Sequence, residues 1–135
     1  MANIIYSSFK EFMADGTMDL DNDTFKIALV TSSYTPSADH TEWADVSSNE
    51  ASGSGYTAGG AALNSTWTRS GATVTFDADD VTWSSATVTG RYAVIYNDTA
   101  TNDELVCLLD FGEDKSSSNA DFKITFNASG IFSLS

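Results

Sequence analysis

The chain has 135 residues, enough for one ordinary domain with a single core, and its hydrophobic content of 41% with 12% aromatics spread along the length excludes a disordered chain. Six Lys and Arg against nineteen Asp and Glu leave a formal charge of −13, and the six cations form no cluster, so a nucleic-acid partner is excluded by repulsion from its phosphates. No apolar run reaches the length of a membrane span, and the start Met1-Ala2-Asn3 lacks the basic residues of a leader, which points to synthesis and retention in a cytoplasm.

The first predicted element is a short helix over residues 4–15. Ile5, Phe9, Phe12 and Met13 form its apolar stripe, Asn3 stands at the N-cap and Gly16 terminates it. Such a helix serves either as a lid on its own sheet or as a docking element for a partner, and Phe9 and Phe12 are the contact candidates in the second case. Next, Asp19, Asp21 and Asp23 have the spacing that begins a calcium loop. However, Thr24 stands where that loop needs Gly and Val30 where it needs a closing Glu, so the acids read as a solvated turn, and no metal site is expected.

Thr24 to Thr31 alternates Phe25, Ile27 and Leu29 with Lys26 and Ala28, the pattern of a half-buried strand. From Pro36 to Ala62 neither a helical nor a strand period is present, and the segment ends in the Gly-rich run Ser52 to Gly60. Loops of this length are often functional, and Trp43 and Tyr56 are anchoring aromatics suited to a partner. The glycines lack the Lys-Ser/Thr of a phosphate loop. His40, the sole imidazole, lies in the same irregular segment and reads as a solvent-exposed or hydrogen-bonding residue rather than a catalytic one, and a single imidazole cannot build a His-rich metal centre within one chain.

Further strands are expected over 72–77, 81–83, 86–88, 92–97, 104–111, 122–127 and 131–134, with turn residues between them. Asp77, Asp79 and Asp80 fall between two of these strands, where Asp makes side-chain turns, and read as turn residues rather than a glycosidase pair. The continuous run Leu105 to Leu109 predicts a central strand covered on both faces, with Cys107 as a core thiol and not a nucleophile. As the only cysteine, Cys107 also leaves no internal disulfide to form. Phe122, Ile124 and Phe126 alternate with Lys123 and Thr125, so one face of the last long strand is wet. Trp43, Trp67 and Trp83 are the residues that could stack on a sugar, yet Trp83 alternates with Val81 as a core residue does. The sequons at Asn22, Asn64, Asn97 and Asn127 reflect an Asn- and Ser/Thr-rich β-protein.

The expected fold is therefore all-β, an antiparallel β-sandwich or jelly-roll-like domain over residues 1–135 with one short N-terminal helix. Its expected core contains Phe25, Ile27, Leu29, Val94, Leu105, Cys107, Leu109, Ile124 and Phe126.

Several stretches together carry a family resemblance: Ser8-Phe9-Lys10, the entry Leu20-Asp21-x-Asp23-Thr24-x-Lys26, Leu29 to Pro36, Gly55 to Gly60, Phe76 to Trp83 and Gly130-Ile131. As a set they resemble a family of small virion structural proteins of tailed bacteriophages. The resemblance implies a non-enzymatic component of a virion, present in repeated copies, with the major capsid protein or another virion protein as partner and no cofactor. The acidic charge fits a capsid decoration or cement protein on the outer shell better than a position in the DNA-filled lumen. A tail, connector or fibre component is the second expectation, and a carbohydrate-binding module for host glycans is the alternative of another class.

Overall fold

The computed structural model describes residues 3–134; Met1 and Ala2, at the start considered above for a leader, and Ser135 lie outside the described residues. The fold is all-β and antiparallel, about half strand with one short helix, and is sandwich-like. In chain order the elements are β1 (Ile4–Ile5), α1 (Ser7–Ala14), β2 (Phe25–Val30), β3 (Ala61–Leu63), β4 (Ser65–Ser70), β5 (Thr73–Ala78), β6 (Val81–Asn97), β7 (Leu105–Ile124) and β8 (Phe132–Leu134). Five strands form one sheet in the order β1-β7-β6-β2-β3, and three form a second in the order β4-β5-β8.

The helix is shorter than its apolar stripe predicts. Ile4 and Ile5 are withdrawn into β1, where they pair with Leu108 and Cys107. Tyr6 is the N-cap in place of Asn3, whose side-chain oxygen accepts the Asp110 N–H at 2.8 Å. Gly16, at φ +84°, follows the helix end as expected, since the left-handed region suits glycine.

The core has two compartments. Between the sheets, Phe25, Ile27 and Leu29 of β2 and Ala93 and Ile95 of β6 pack toward Phe76 of β5, with Phe25 and Phe76 edge-to-face at 5.5 Å. Phe9 of α1 joins them, edge-to-face with Phe132 of β8. On the opposite face of the five-stranded sheet, Ala28, Val30, Tyr92, Val94, Leu105 and Leu108 are covered by Tyr6, Tyr34 and Val46, with Trp43 packed against them. Burying apolar area on both faces is what the continuous runs in β2, β6 and β7 require.

That second covering layer corrects the reading of residues 36–62 as irregular. The segment contains 3₁₀ turns at Trp43–Asp45 and Ser47–Asn49, ends in β3, and is tied to the sheet by isolated bridges from Glu50 to Val30, Glu42 to Glu104 and Ser54 to Thr87. Gly60 shows why glycine is needed there: at φ +86°, a Cβ would collide with the Ile27 carbonyl.

Three strand expectations also change. Residues 81–97 form one strand, and 105–124 another, because Ser85 (φ 50°) and Asn119 (φ 48°) lie in irregular stretches of the ladder that do not end it. β4 was not anticipated. The strand containing Leu105 to Leu108 is buried on both faces, but it lies next to the two-residue edge strand β1, and β6 takes the middle position. Leu109 and Phe126 are partly buried; the other seven residues of the expected core are buried.

Candidate functional site

The four contact candidates are held mainly by the protein itself. Phe9 and Tyr56 are buried in the core between the sheets, and Phe12 is half-buried against it. Trp43 is half-buried and stacks on Tyr96 with ring centroids 4.7 Å apart. Phe9 and Tyr56 are therefore corrected as surface contacts: in this fold their rings complete the core, and a partner would meet only the neighbouring exposed atoms. The physical reason is that both rings are taken out of water between the two sheets, Phe9 against Phe132 and Tyr56 against Trp83.

Tyr56 also organises the glycine-rich stretch. Its hydroxyl donates to Glu50 Oε2 at 2.7 Å and accepts the Leu29 N–H at 2.9 Å. The same carboxylate oxygen accepts the Gly59 N–H, and the Gly59 carbonyl accepts the Tyr96 hydroxyl. Burial, reinforced by the Glu50 carboxylate, pushes the Tyr56 phenol well above its ordinary range, so it stays a donor. These bonds spend the loop amide of Gly59 on Glu50 rather than on a phosphate.

His40 Nδ1 lies 2.6 Å from the Tyr34 hydroxyl, which in turn is 3.3 Å from the buried Tyr6 hydroxyl. Burial raises both phenols. The imidazole is thus tied to a buried pair of phenols, with no nucleophile in the chain of contacts. Cys107 is buried, and loss of solvent pushes its thiol up to about 12, leaving it protonated at neutral pH.

The carboxylates of the first acidic turn bond to their own backbone. Asp19 accepts the Asp21 and Asn22 amides and the Asn22 side chain, and Asp23 accepts the Asp19 amide. Asp23 also accepts the side chain of Asn97, a fully buried amide 74 positions away. Asp79 accepts the Asn64 side chain, Asp77 the Ala78 amide, and Asp80 the Phe126 amide. Among the described residues no group of three His, Cys, Asp or Glu is arranged to hold a metal ion. Trp67 and Trp83 turn inward, Trp67 toward Phe76 and Phe132 and Trp83 toward Tyr56 and Phe122, so the three tryptophans do not share one platform.

Two buried acids were not anticipated from the sequence. Asp110, its side chain fully covered, accepts Arg91 Nε at 3.1 Å and the Gly112 amide at 2.8 Å. Burial pushes its carboxyl up, but the Gly112 amide and the Arg91 guanidinium outweigh that and hold it below the usual carboxylate range. Glu104 is buried at the bridge to Glu42, and its Oε2, like Asp110 Oδ2, has no hydrogen-bond partner among the described residues. Neither acid stands out in the sequence, because each is buried by segments remote along the chain.

What the molecule presents outward is polar and acidic. Residues 112–116 and 118–121 of β7 are exposed, as are Thr82, Ser84, Thr87 and Thr89 of β6, with the Thr89 and Ser116 hydroxyls bonded across the ladder at 2.7 Å. No helix among the described residues is long and apolar enough to cross a membrane. No protein-family model, curated protein or solved structure matches this chain.

Proposed function

We propose that this chain is a non-enzymatic structural protein of a tailed-bacteriophage particle, a decoration protein that binds the outer surface of the major capsid protein shell. The observation that supports this reading is where the chemically versatile groups lie. The imidazole is tied to buried phenols, the thiol is in the core, and the acids of both acidic turns bond backbone amides. Their chemistry is spent on holding a β-scaffold, while the exposed surface is a broad area of hydroxyls and acids with a chain charge of −13. Such a surface is repelled by packaged DNA and is suited to the outside of a shell. The resemblance carried by Leu29 to Pro36, Gly55 to Gly60 and Phe76 to Trp83 supplies the particle.

The test is stoichiometry and rebinding. In intact particles the protein should be present in copy numbers comparable with the major shell protein, and purified protein should rebind stripped capsids and raise their heat stability. A few copies per particle would move the assignment to a tail, connector or fibre. Specific retention on host glycans by the isolated protein, with none on capsids, would replace it with a carbohydrate-binding module.

A further inference from the structure

We propose that the free edge of β4 is a self-association surface whose occupant is the β4 of a second copy of this chain. β4 pairs with β5 along its whole length, from Ser65 opposite Ala78 to Ser70 opposite Thr73, and is the outermost strand of its sheet. Its other edge pairs with no strand among the described residues. The remaining outermost strands are β1 with two residues and β3 and β8 with three each, so the six-residue β4 is the longest outermost strand. β6 before Tyr92 and β7 beyond Leu108 also lack an outer strand neighbour, but their ladder is bulged and β7 carries Asp110, Glu113, Asp114 and Asp121 there. A row of unpaired backbone groups of this length is a template for another strand unless charge, proline or a bulge blunts it. Ser65-Thr66-Trp67-Thr68-Arg69-Ser70 contains no proline, has Arg69 as its one charge, and its pairing to β5 has no bulge.

Charge selects the occupant. Two copies at −13 each repel over most of their surface, and β4 is a stretch that carries a cation and no acid. Arg69 is exposed, bonds only the Gly71 carbonyl at 3.1 Å, and enters none of the ion pairs among the described residues. Next to it in the strand, half-buried Trp67 lines an open groove of about 430 Å³ together with Met13, Met18, Leu20 and Asp19. The bonds from Asn22 and Asp21 hold the Asp19 carboxyl below the usual range, so it is an anion at neutral pH.

Antiparallel pairing of two β4 strands about a twofold axis at Thr68 satisfies both features. Directly opposed residues share a face of a sheet, so Thr68 meets Thr68 of the second copy, Thr66 meets its Ser70, and Trp67 meets its Arg69. The guanidinium then lies against the indole ring beside Asp19, and the symmetry makes the contact twice. The product is a continuous six-stranded sheet with the uncharged hydroxyls of Thr66, Thr68 and Ser70 running across the junction. The inference does not rest on the particle assignment, since it concerns the purified protein alone.

Sedimentation velocity of the full chain from about 1 μM to about 1 mM is the test. A concentration-dependent dimer is expected, and Arg69→Glu and Thr68→Lys, both at exposed positions, should each weaken it at least about tenfold while leaving the thermal transition in place. Under mild oxidation Thr68→Cys should give a covalent dimer, since opposed strand residues lie within disulfide reach, and Thr89→Cys, equally exposed on β6, should not. A monomer at every concentration overturns the proposal. So does a dimer whose affinity is unchanged by both charge variants. Either result leaves capsid rebinding untouched, and failure of rebinding leaves a β4 dimer standing.

Discussion

The two halves of the β6–β7 hairpin are built from the same pair of strands and live in different environments. Near the turn, Tyr92 to Asn97 pairs with Leu105 to Asp110, and nearly every side chain is buried, because the second sheet covers one face and residues 34–51 cover the other. Farther out, Val81 to Gly90 pairs with Lys115 to Ile124, and burial alternates: Val81, Trp83, Ala86 and Val88 face the core while Thr82, Ser84, Thr87 and Thr89 face water. The backbone ladder continues through both. What differs is the cover, and the sequence follows it, apolar without interruption where there are two lids and alternating where there is one.

The largest effect should come from the doubly covered half. Leu108→Ala, at a fully buried site, should cost roughly 2–5 kcal/mol in denaturant unfolding, and a loss below about 1 kcal/mol would mean that the outer lid does not pack as described. Removing part of the lid should cost less. Trp43→Ala deletes the ring stacked on Tyr96 and should destabilise by about 1–2 kcal/mol, with increased proteolysis of residues 36–51 ahead of global unfolding.

Smaller still is the acid dependence at the junction of the two halves. Because the folded-state pKa of Asp110 is depressed, its contribution is fully present above the ordinary carboxylate range and is lost as pH falls through the folded value, so stability should decline below about pH 4. Asp110→Asn should flatten that decline in acid unfolding curves; an unchanged slope would remove the Arg91–Asp110 pair from the account. Smallest of all, Thr89→Ala on the wet face should change stability by less than about 0.5 kcal/mol. A larger loss would show that the exposed hydroxyl row contributes to the fold itself.

Much of this contrast was legible beforehand. The alternation of Phe25, Ile27 and Leu29 gave the inner face of β2, and the run from Leu105 to Leu109 implied two covered faces. Its central placement did not follow, because a loop and a two-residue strand can cover a strand as well as full-length neighbours can. Ser84-Ser85 and the polar run from Gly112 to Asp121 look like turns in sequence, yet the ladder carries both, since backbone pairing does not require apolar side chains. β4 was missed for the same reason: Trp67 is its only large apolar residue. Residues 36–62 have no period because Val46, Ala51 and Tyr56 anchor them one at a time, and an anchoring aromatic such as Tyr56 resembles a contact residue when viewed without the core it enters. The buried polar groups Asn97, Glu104 and Asp110 were invisible because burial by distant segments leaves no local pattern.

The lone cysteine gives this protein a built-in clock. Cys107 sits in the doubly covered half of the hairpin and stays protonated at neutral pH, so an alkylating reagent can reach a reactive thiolate there only after the strand has left its neighbours. The labelling rate of the unmodified chain therefore counts openings of β7 around Cys107. Measured alone and then with a candidate partner added, the same thiol would report whether binding slows the breathing of the core, without any probe being added to the surface under study.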